Sequence, residues 1–237
     1  MRRLRLAAWR VVESQHQIST RKLVASDAEQ QLLEQMIEQA KPPNVSPASL
    51  HYLLSTPFRY PPLRHGSRFG VRTEPGIWYG SEAVRGAFAE VAYYRLVFLE
   101  GTRADLGVLE TELSAFSVPI DAQHGIDLTV LPFAIHEETL ASPVKYEETQ
   151  ALGRAMREAG VEAFRYVSAR AVLGGVNVGV IKAGAFARSQ PERLETWHCV
   201  ATRQGVEFLR RDYFQRATHT FPRLDFLVSG LLPSPAV

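Results

Sequence analysis

Two kinds of apolar pattern follow one another irregularly along this chain of 237 residues. Apolar residues at every second position, as at Val176, Val178 and Val180, predict strands, and apolar residues three and four positions apart, as in 27–40, predict helices. The two kinds do not follow the regular strand–helix–strand order of a doubly wound parallel sheet. The sequence therefore predicts an α+β fold in which mixed or antiparallel sheets are flanked by helices.

Cap, turn and proline patterns place the individual elements. Helices are expected over residues 27–40, 81–94 and 146–159, with Ser26 and Ser81 as N-terminal caps and Gly160 after the third. Strands are expected over 77–79, 96–99, 107–118, 163–168 and 176–180, extended chain over 56–60, and a hairpin over 196–208. No internal repeat is present, so we expect one globular unit.

The first 48 residues differ from the rest in charge. Residues 1–26 hold six arginines and lysines and one glutamate, a net charge of +5, which leaves about −3 for the remainder because the whole chain carries +2. The prolines of 41–47 interrupt the chain after the predicted helix. We therefore expect a basic arm and an N-terminal helical extension over 1–48, outside a main domain over 49–237. Such an arm contacts nucleic acid or an acidic partner, or is solvated, which is the commoner case.

Composition and missing motifs exclude several kinds of protein. Cys199 is the only cysteine, so no disulfide within the chain is possible and a reducing compartment is favoured. No run of about 18 apolar residues is present to span a bilayer, and the first residues lack the apolar core of a secretory signal. We expect a cytoplasmic protein without membrane contact. The motifs of phosphate loops, zinc helices, paired cysteines and serine hydrolases are missing, and no metal is expected.

Residues 58–79 combine charge and aromatic rings at high density, with four arginines and five aromatic residues before Glu90. Arginine forks bind phosphate and aromatic faces stack on planar rings, so a nucleotide with a diphosphate fits this combination. In the predicted helix, Glu90 shares a face with the small residues Ala83 and Ala87, which lets a ligand approach the carboxylate. Composition alone slightly favours the alternative, in which the arginines are solvated and the aromatic residues fill the core.

Several motifs together resemble the RES domain family, which is named for its arginine, glutamate and serine and includes toxins of bacterial toxin–antitoxin pairs. Arg68, Tyr79 and Glu90 follow one another at intervals of eleven residues, and the resemblance covers roughly residues 50–190. Its motifs are Pro57-Phe58-Arg59-Tyr60, Gly66-Ser67-Arg68-Phe69-Gly70, Ile77-Trp78-Tyr79-Gly80, Ala89-Glu90, Phe164-Arg165-Tyr166-Val167-Ser168-Ala169-Arg170 and Gly174-Gly175. The family usually has tryptophan at the position of Phe69. The resemblance implies a fold related to ADP-ribosyltransferases and a reaction that consumes NAD⁺.

The resemblance also implies roles for individual residues. Arg68, Tyr79, Glu90 and Ser168 match the family's arginine, tyrosine, glutamate and serine, and they are expected to be catalytic. Arg68 would hold the diphosphate, Tyr79 would border the nicotinamide, and Ser168 would donate to a ribose or phosphate oxygen. Candidate ligand-binding residues are Arg59, which matches an earlier arginine of the pattern, Tyr60, Tyr94, Arg170 and Asn177.

Cleavage of the nicotinamide–ribose bond suits a site with one carboxylate. Nicotinamide leaves as a neutral ring, so no acid has to protonate it, and Glu90 would stabilise the positive charge that develops on the ribose. NAD⁺ is therefore expected as the substrate, without a metal. The acceptor of ADP-ribose stays open among water, inorganic phosphate and a protein side chain.

The leading hypothesis is a toxin held inactive by an antitoxin with a helix-turn-helix domain of the Xre type, encoded by an adjacent gene. ADP-ribosylation of a protein target belongs to this hypothesis, and nucleic acid would be reached only through the antitoxin. Residues 1–40 are expected to serve antitoxin binding or self-association. The alternative is a catalytically weak module that binds a nucleotide or a partner and contacts nucleic acid through its basic N-terminus.

Overall fold

One sheet of eight strands forms the framework, and five of these strands close into a ring. The computed structural model describes residues 1–14, 23–43, 46–62, 65–171, 174–212 and 214–234. The strands are β1 (Arg2–Glu13), β2 (Trp78–Ser81), β3 (Leu109–Asp127), β4 (Ala163–Val167), β5 (Val176–Val180), β6 (Arg193–Thr202), β7 (Gly205–Arg210) and β8 (Thr218–Pro222). The helices are α1 (Asp27–Ala40), α2 (Tyr52–Arg59), α3 (Val84–Gly101), α4 (Glu137–Leu140) and α5 (Glu147–Glu158).

The long strand β3 organises the sheet. β1 and β6 pair with it in antiparallel fashion, and β4 pairs with its last residues in parallel. The ring closes in the order β1, β2, β5, β4, β3, and β7 and β8 extend the sheet beyond β6. The contact between β1 and β2 is a single residue pair, Trp9 and Ser81. The two strands therefore diverge beyond this pair and leave a gap in the ring.

Three helices cover the sheet and bury its apolar side chains. Phe88 of α3 packs against Trp197 of β6 on one face. Inside the ring, where all five strands contribute apolar residues, Phe58 of α2 packs in the same cluster as Trp78 of β2. Met156 of α5 packs in a third cluster with Phe164 and Tyr166 of β4. The apolar patterns of helices and strands thus meet in three adjoining clusters.

Local patterns predicted several elements correctly. α1 begins after Ser26, whose hydroxyl accepts a hydrogen bond from the backbone N–H of Glu29 at 3.2 Å, as expected of an N-cap. α5 is followed by Gly160, whose φ of 78° lies in the left-handed region. The strands β2, β4 and β5 and the hairpin of β6 and β7 also lie close to their predicted positions. The α+β composition with mainly antiparallel pairing is thereby confirmed.

Three local predictions are wrong. Ser81, expected as the N-cap of the second helix, is the last residue of β2, and α3 begins at Val84 with Ala83 as its N-cap. Residues 96–99, expected as a strand, belong to α3, because Leu96 and Leu99, three positions apart, lie on the buried face of the helix. Residues 56–60, expected as extended chain, mostly belong to α2. Pro57 cannot donate a backbone hydrogen bond within this helix, but the burial of Phe58 favours the helical conformation.

The first residues form a strand of the sheet, so the expected arm outside the main domain is wrong for residues 2–13. β1 pairs with β3 along most of its length, and its residues Leu4 and Ala8 are buried inside the ring. Leu4, Leu6 and Ala8 do alternate with Arg3, Arg5 and Ala7 in the sequence, which is a period-two strand pattern, but the high positive charge of the segment favoured a basic arm. The main domain nevertheless includes β1, and α1 follows a strand of the sheet instead of belonging to a separate N-terminal extension.

The positive charges at the start of β1 are paired with carboxylates. Arg2 lies 2.5 Å from Asp127, and Arg3 lies 2.6 Å from Asp121. The other cations of the basic segment include two within residues 15–22, which lie outside the described residues. The ion pairs on β1 stabilise the sheet, and they weaken the alternative in which this segment contacts nucleic acid.

Gly153 lets α5 pack against the loop that precedes β2. A Cβ atom at this position would lie 1.9 Å from the carbonyl oxygen of Phe69. Although alanine has the higher helix propensity, we expect Gly153→Ala to destabilise the protein by about 1–3 kcal/mol through overpacking. The melting temperature measured by scanning calorimetry should then fall by about 3 °C or more. Gly184→Ala, whose Cβ would meet no atom within 4 Å, is the control, and equal melting temperatures for both variants would contradict the tight contact.

Candidate active site

A cleft of about 770 Å³ lies where β1 and β2 diverge. α3 lines it from one direction, and the connection between α2 and β2 lines it together with Tyr146. The guanidinium of Arg10 donates a hydrogen bond of 2.9 Å from β1 to the carbonyl oxygen of Tyr79 on β2. This side chain satisfies a backbone acceptor that the diverging strands would otherwise leave unpaired. The gap in the ring thereby becomes a cavity of ligand size.

Glu90 of α3 lines this cleft and is held by two neutral donors. Its Oε1 accepts hydrogen bonds from Asn177 Nδ2 of β5 at 2.8 Å and from Ser168 Oγ, directly after β4, at 3.2 Å. Gly86, one turn before Glu90, lets α3 lie close to β2, because a Cβ at this position would lie 2.2 Å from the hydroxyl oxygen of Ser81. In the described part of the chain no cation forms an ion pair with Glu90, so its negative charge is available to a ligand.

Two arginines of the cleft are fixed by carbonyl oxygens and aromatic rings. Arg68 donates to two carbonyl oxygens of the segment 140–142, at 2.7 and 3.2 Å, and its guanidinium lies 4.7 Å from the ring centre of Tyr146. Arg170 donates to a carbonyl oxygen of the same connection at 2.9 Å, and its guanidinium lies 3.5 Å from the ring centre of Tyr93. These contacts hold both groups in place without neutralising their charge.

Positive charge without a carboxylate partner is concentrated in the cleft. Arg10, Arg68 and Arg170 line it, and within the described ranges none of the three forms an ion pair. Burial lowers the pKa of Arg10 to about 10, so this guanidinium is still protonated at neutral pH. Three cations beside the carboxylate of Glu90 favour a ligand that carries several negative charges and one positive centre.

Tyr79 fixes the loop that carries Arg68. Its hydroxyl lies 2.9 Å from Ser67 Oγ and accepts a hydrogen bond from the backbone N–H of Phe69 at 3.2 Å. Burial raises the pKa of Tyr79 to about 12, so the phenol is neutral at physiological pH. The side chain lines the cleft, and its expected contact with the nicotinamide stays a prediction.

The structure brings most of the site residues predicted from the sequence together. Those that line the cleft are Tyr60, Arg68, Tyr79, Glu90, Tyr94, Arg170 and Asn177. Ser168 contacts the carboxylate of Glu90. Arg59 is not among the residues that line the cleft: its guanidinium lies 2.8 Å from Glu38, because the helical α2 turns this side chain toward α1. This geometry does not support the expected ligand contact of Arg59.

Arg10, Tyr146 and Tyr166 are among the cleft residues that the sequence analysis did not name as site residues. Tyr166 lies two positions before Ser168, so the period-two pattern of a strand places both side chains on one face and could have identified it. Burial raises the pKa of Tyr166, and the nearby carboxylate of Glu90 raises it further. Arg10 was noticed only as part of a basic segment, and no local pattern marks Tyr146.

Two other kinds of site are not found in the described part of the chain. No group of three or more histidine, cysteine, aspartate or glutamate side chains is placed there to hold a metal ion. No helix in the same ranges is both long and apolar enough to cross a lipid bilayer.

Comparisons with known proteins identify the family. A family model described as the RES domain matches residues 42–201. No curated protein sequence matches significantly. Among solved structures, the MbcT–MbcA toxin–antitoxin complex of M. tuberculosis matches with a TM-score of 0.46 and 12% sequence identity, over 81% of this chain and 83% of that one. Because the family model spans more than half of the chain, from before α2 to the end of β6, this protein belongs to the RES domain family.

Proposed function

We propose that this protein binds NAD⁺ in the cleft, breaks the bond between nicotinamide and ribose, and passes ADP-ribose to an acceptor. One observation carries the proposal. The carboxylate of Glu90, which forms no ion pair among the described residues, is oriented by two neutral donors in the same cavity as three arginines without carboxylate partners. NAD⁺ carries the complementary charges, because its diphosphate is doubly negative and its pyridinium ring is positive.

The arginines suit the diphosphate of the dinucleotide. Arg68 and Arg170 are already held by carbonyl oxygens and aromatic rings, so little side-chain entropy is lost when they donate to phosphate oxygens. Arg10 adds a third charge on β1. A bound diphosphate would hold the adjoining ribose in place beside the carboxylate of Glu90.

The reaction needs one carboxylate and no acid. When the bond from ribose C1′ to the pyridinium nitrogen breaks, its electron pair stays on nitrogen, and nicotinamide leaves as a neutral molecule. The ribose develops positive charge, which Glu90 stabilises, while Asn177 and Ser168 keep the carboxylate oriented. An acceptor nucleophile then forms a bond to C1′ and loses its proton. Water, inorganic phosphate or a protein side chain completes the reaction in this way, as expected of a fold related to ADP-ribosyltransferases.

Nicotinamide release tests the proposed reaction. The purified protein is incubated with NAD⁺, with phosphate or a cell lysate present in parallel samples, and nicotinamide is quantified by chromatography. We expect release that depends on Glu90, and mass spectrometry of the ADP-ribose product then identifies the acceptor. Absence of release under all of these conditions would overturn the proposed activity.

Membership of the RES family supports a biological role as the toxin of a toxin–antitoxin pair, acting in the cytoplasm. Its partner in this role is an antitoxin of the helix-turn-helix Xre type, through which nucleic acid is reached only indirectly. α1 offers a surface for this partner, because Leu32 and Met36 are each more than half exposed and lie one turn apart. α1 contacts Arg59, whose neighbour Tyr60 lines the cleft, so a protein bound to α1 would lie near the proposed active site.

The double substitution Leu32→Ser and Met36→Ser tests the role of α1. Deletion of residues 1–40 is unsuitable, because it removes β1 from the sheet. We expect the double variant to bind the product of the adjacent gene at least about tenfold more weakly, since two exposed apolar contacts are lost, while nicotinamide release is unchanged. Affinity is measured by calorimetry, with Leu224→Ser, another exposed leucine, as the control. Unchanged affinity and inhibition would contradict this assignment of the surface.

A further inference from the structure

Beyond Glu90, α3 presents two large aromatic side chains to the cleft. Glu90, Tyr94 and Phe98 lie on successive turns of one helix face, and all three line the cavity. Tyr94 is 52% exposed and Phe98 is 53% exposed. Aromatic rings of this size are costly to leave in water, and neither of the two contributes to the buried core. We refer to Tyr94 and Phe98 together as the aromatic ledge.

Apolar side chains of the sheet line the cavity as well. Val11 and Val12 of β1 line the cavity together with Leu113 of β3. The nearby charges of Arg95 and Glu13 neutralise each other in an ion pair of 2.5 Å. The ledge therefore adds a large aromatic and apolar surface to a cavity that also holds the charges of Glu90 and the three arginines.

The distance along α3 between Glu90 and the far side chain of the ledge suits a dinucleotide. Phe98 lies eight positions after Glu90 on α3, which corresponds to about 12 Å along the helix axis. A sugar–diphosphate–sugar unit has a span of this order. A ligand whose reacting ribose lies beside Glu90 would thus place its second base at the ledge.

We infer that the adenine ring of NAD⁺ stacks on Tyr94 and Phe98, which makes the ledge the part of the site that selects a dinucleotide over a mononucleotide. This inference rests on the proposed function and adds the position of the second base. Stacking of a base on an aromatic side chain is lost on substitution by alanine, with an expected affinity change of about tenfold or more. Nicotinamide mononucleotide has no second base, so its binding does not depend on the ledge.

Phe98→Ala, compared on two substrates, tests the inference. We expect kcat/KM for NAD⁺ to fall about tenfold, mainly through KM, and kcat/KM for nicotinamide mononucleotide to change less than twofold. Phe214→Ala, which removes a 97% exposed phenylalanine outside the cleft, is the matched control. Equal changes for both substrates, or no change for NAD⁺, would overturn the assignment. Because Phe98 is exposed, the variant is expected to fold, which its melting temperature verifies.

A binding measurement separates failure of this inference from failure of the proposed reaction. If the unmodified protein releases no nicotinamide from either substrate, the proposed function fails, and calorimetric titration with ADP-ribose and with ribose 5-phosphate still tests the ledge. Weaker binding of ADP-ribose alone in Phe98→Ala supports base stacking there. Equal affinity of the unmodified protein and Phe98→Ala for ADP-ribose, or no binding of ADP-ribose at all, refutes it.

Discussion

Glu90→Gln is expected to lower kcat for nicotinamide release from NAD⁺ by about 100-fold or more. The glutamine carbonyl oxygen can still accept the hydrogen bonds from Asn177 and Ser168, so the local structure should persist. The negative charge is lost, however, and with it the stabilisation of the positive ribose in the transition state. Initial rates at saturating NAD⁺ measure the effect.

The control for this variant is Glu100→Gln on the same helix. Glu100 is exposed and hydrogen-bonds to Arg223 at the surface, so its charge contributes little to stability and lies outside the cleft. We expect an unchanged rate and an unchanged circular dichroism spectrum. A Glu90→Gln protein that is folded and retains more than about a tenth of the activity would show that the carboxylate is not the catalytic group.

The second large effect is expected for Arg68→Met, with a decrease in kcat/KM of about 30- to 100-fold. Methionine keeps an unbranched side chain of similar length against Tyr146 but cannot donate to phosphate oxygens. Most of the loss should appear in KM, because the diphosphate is bound in the substrate as well as in the transition state. Arg68→Lys, which keeps the charge without the planar fork, should be intermediate.

Arg188→Met provides the comparison for Arg68. Arg188 is exposed and its ion pair with Glu192 at 3.7 Å lies outside the cleft, so both kinetic parameters should be unchanged. Arg68 also donates to carbonyl oxygens between α4 and α5, and a loss of stability in Arg68→Met would appear as a lower melting temperature. A stable Arg68→Met protein with unchanged KM and kcat would exclude a role in binding the diphosphate.

Elements that are determined by neighbouring residues could be predicted from the sequence. The cap at Ser26 and the break at Gly160 are local, and both mark observed ends of helices. β1 was interpreted as a basic arm, because its pairing partner β3 lies 100 or more residues away and its charges are compensated by distant carboxylates such as Asp121. The segment around Leu96 is equally ambiguous, since only the packing of α3 decides between helix and strand.

The same distinction applies to the candidate site. Glu90, Ser168 and Asn177 belong to or follow recognisable motifs, and the fold brings them into hydrogen-bond contact. Arg10 contributes to the cleft only because β1 joins the ring, which no local pattern reveals. Arg59 resembles a ligand contact in the sequence, yet the helical α2 directs it to Glu38 instead.

The most direct test of the account is a crystal structure of Glu90→Gln soaked with NAD⁺. The slow variant should retain the intact dinucleotide, with ribose C1′ beside the amide of residue 90 and the diphosphate within hydrogen-bond distance of Arg68 or Arg170. Density for NAD⁺ that places the ribose away from residue 90, or the diphosphate away from all three arginines of the cleft, would contradict it.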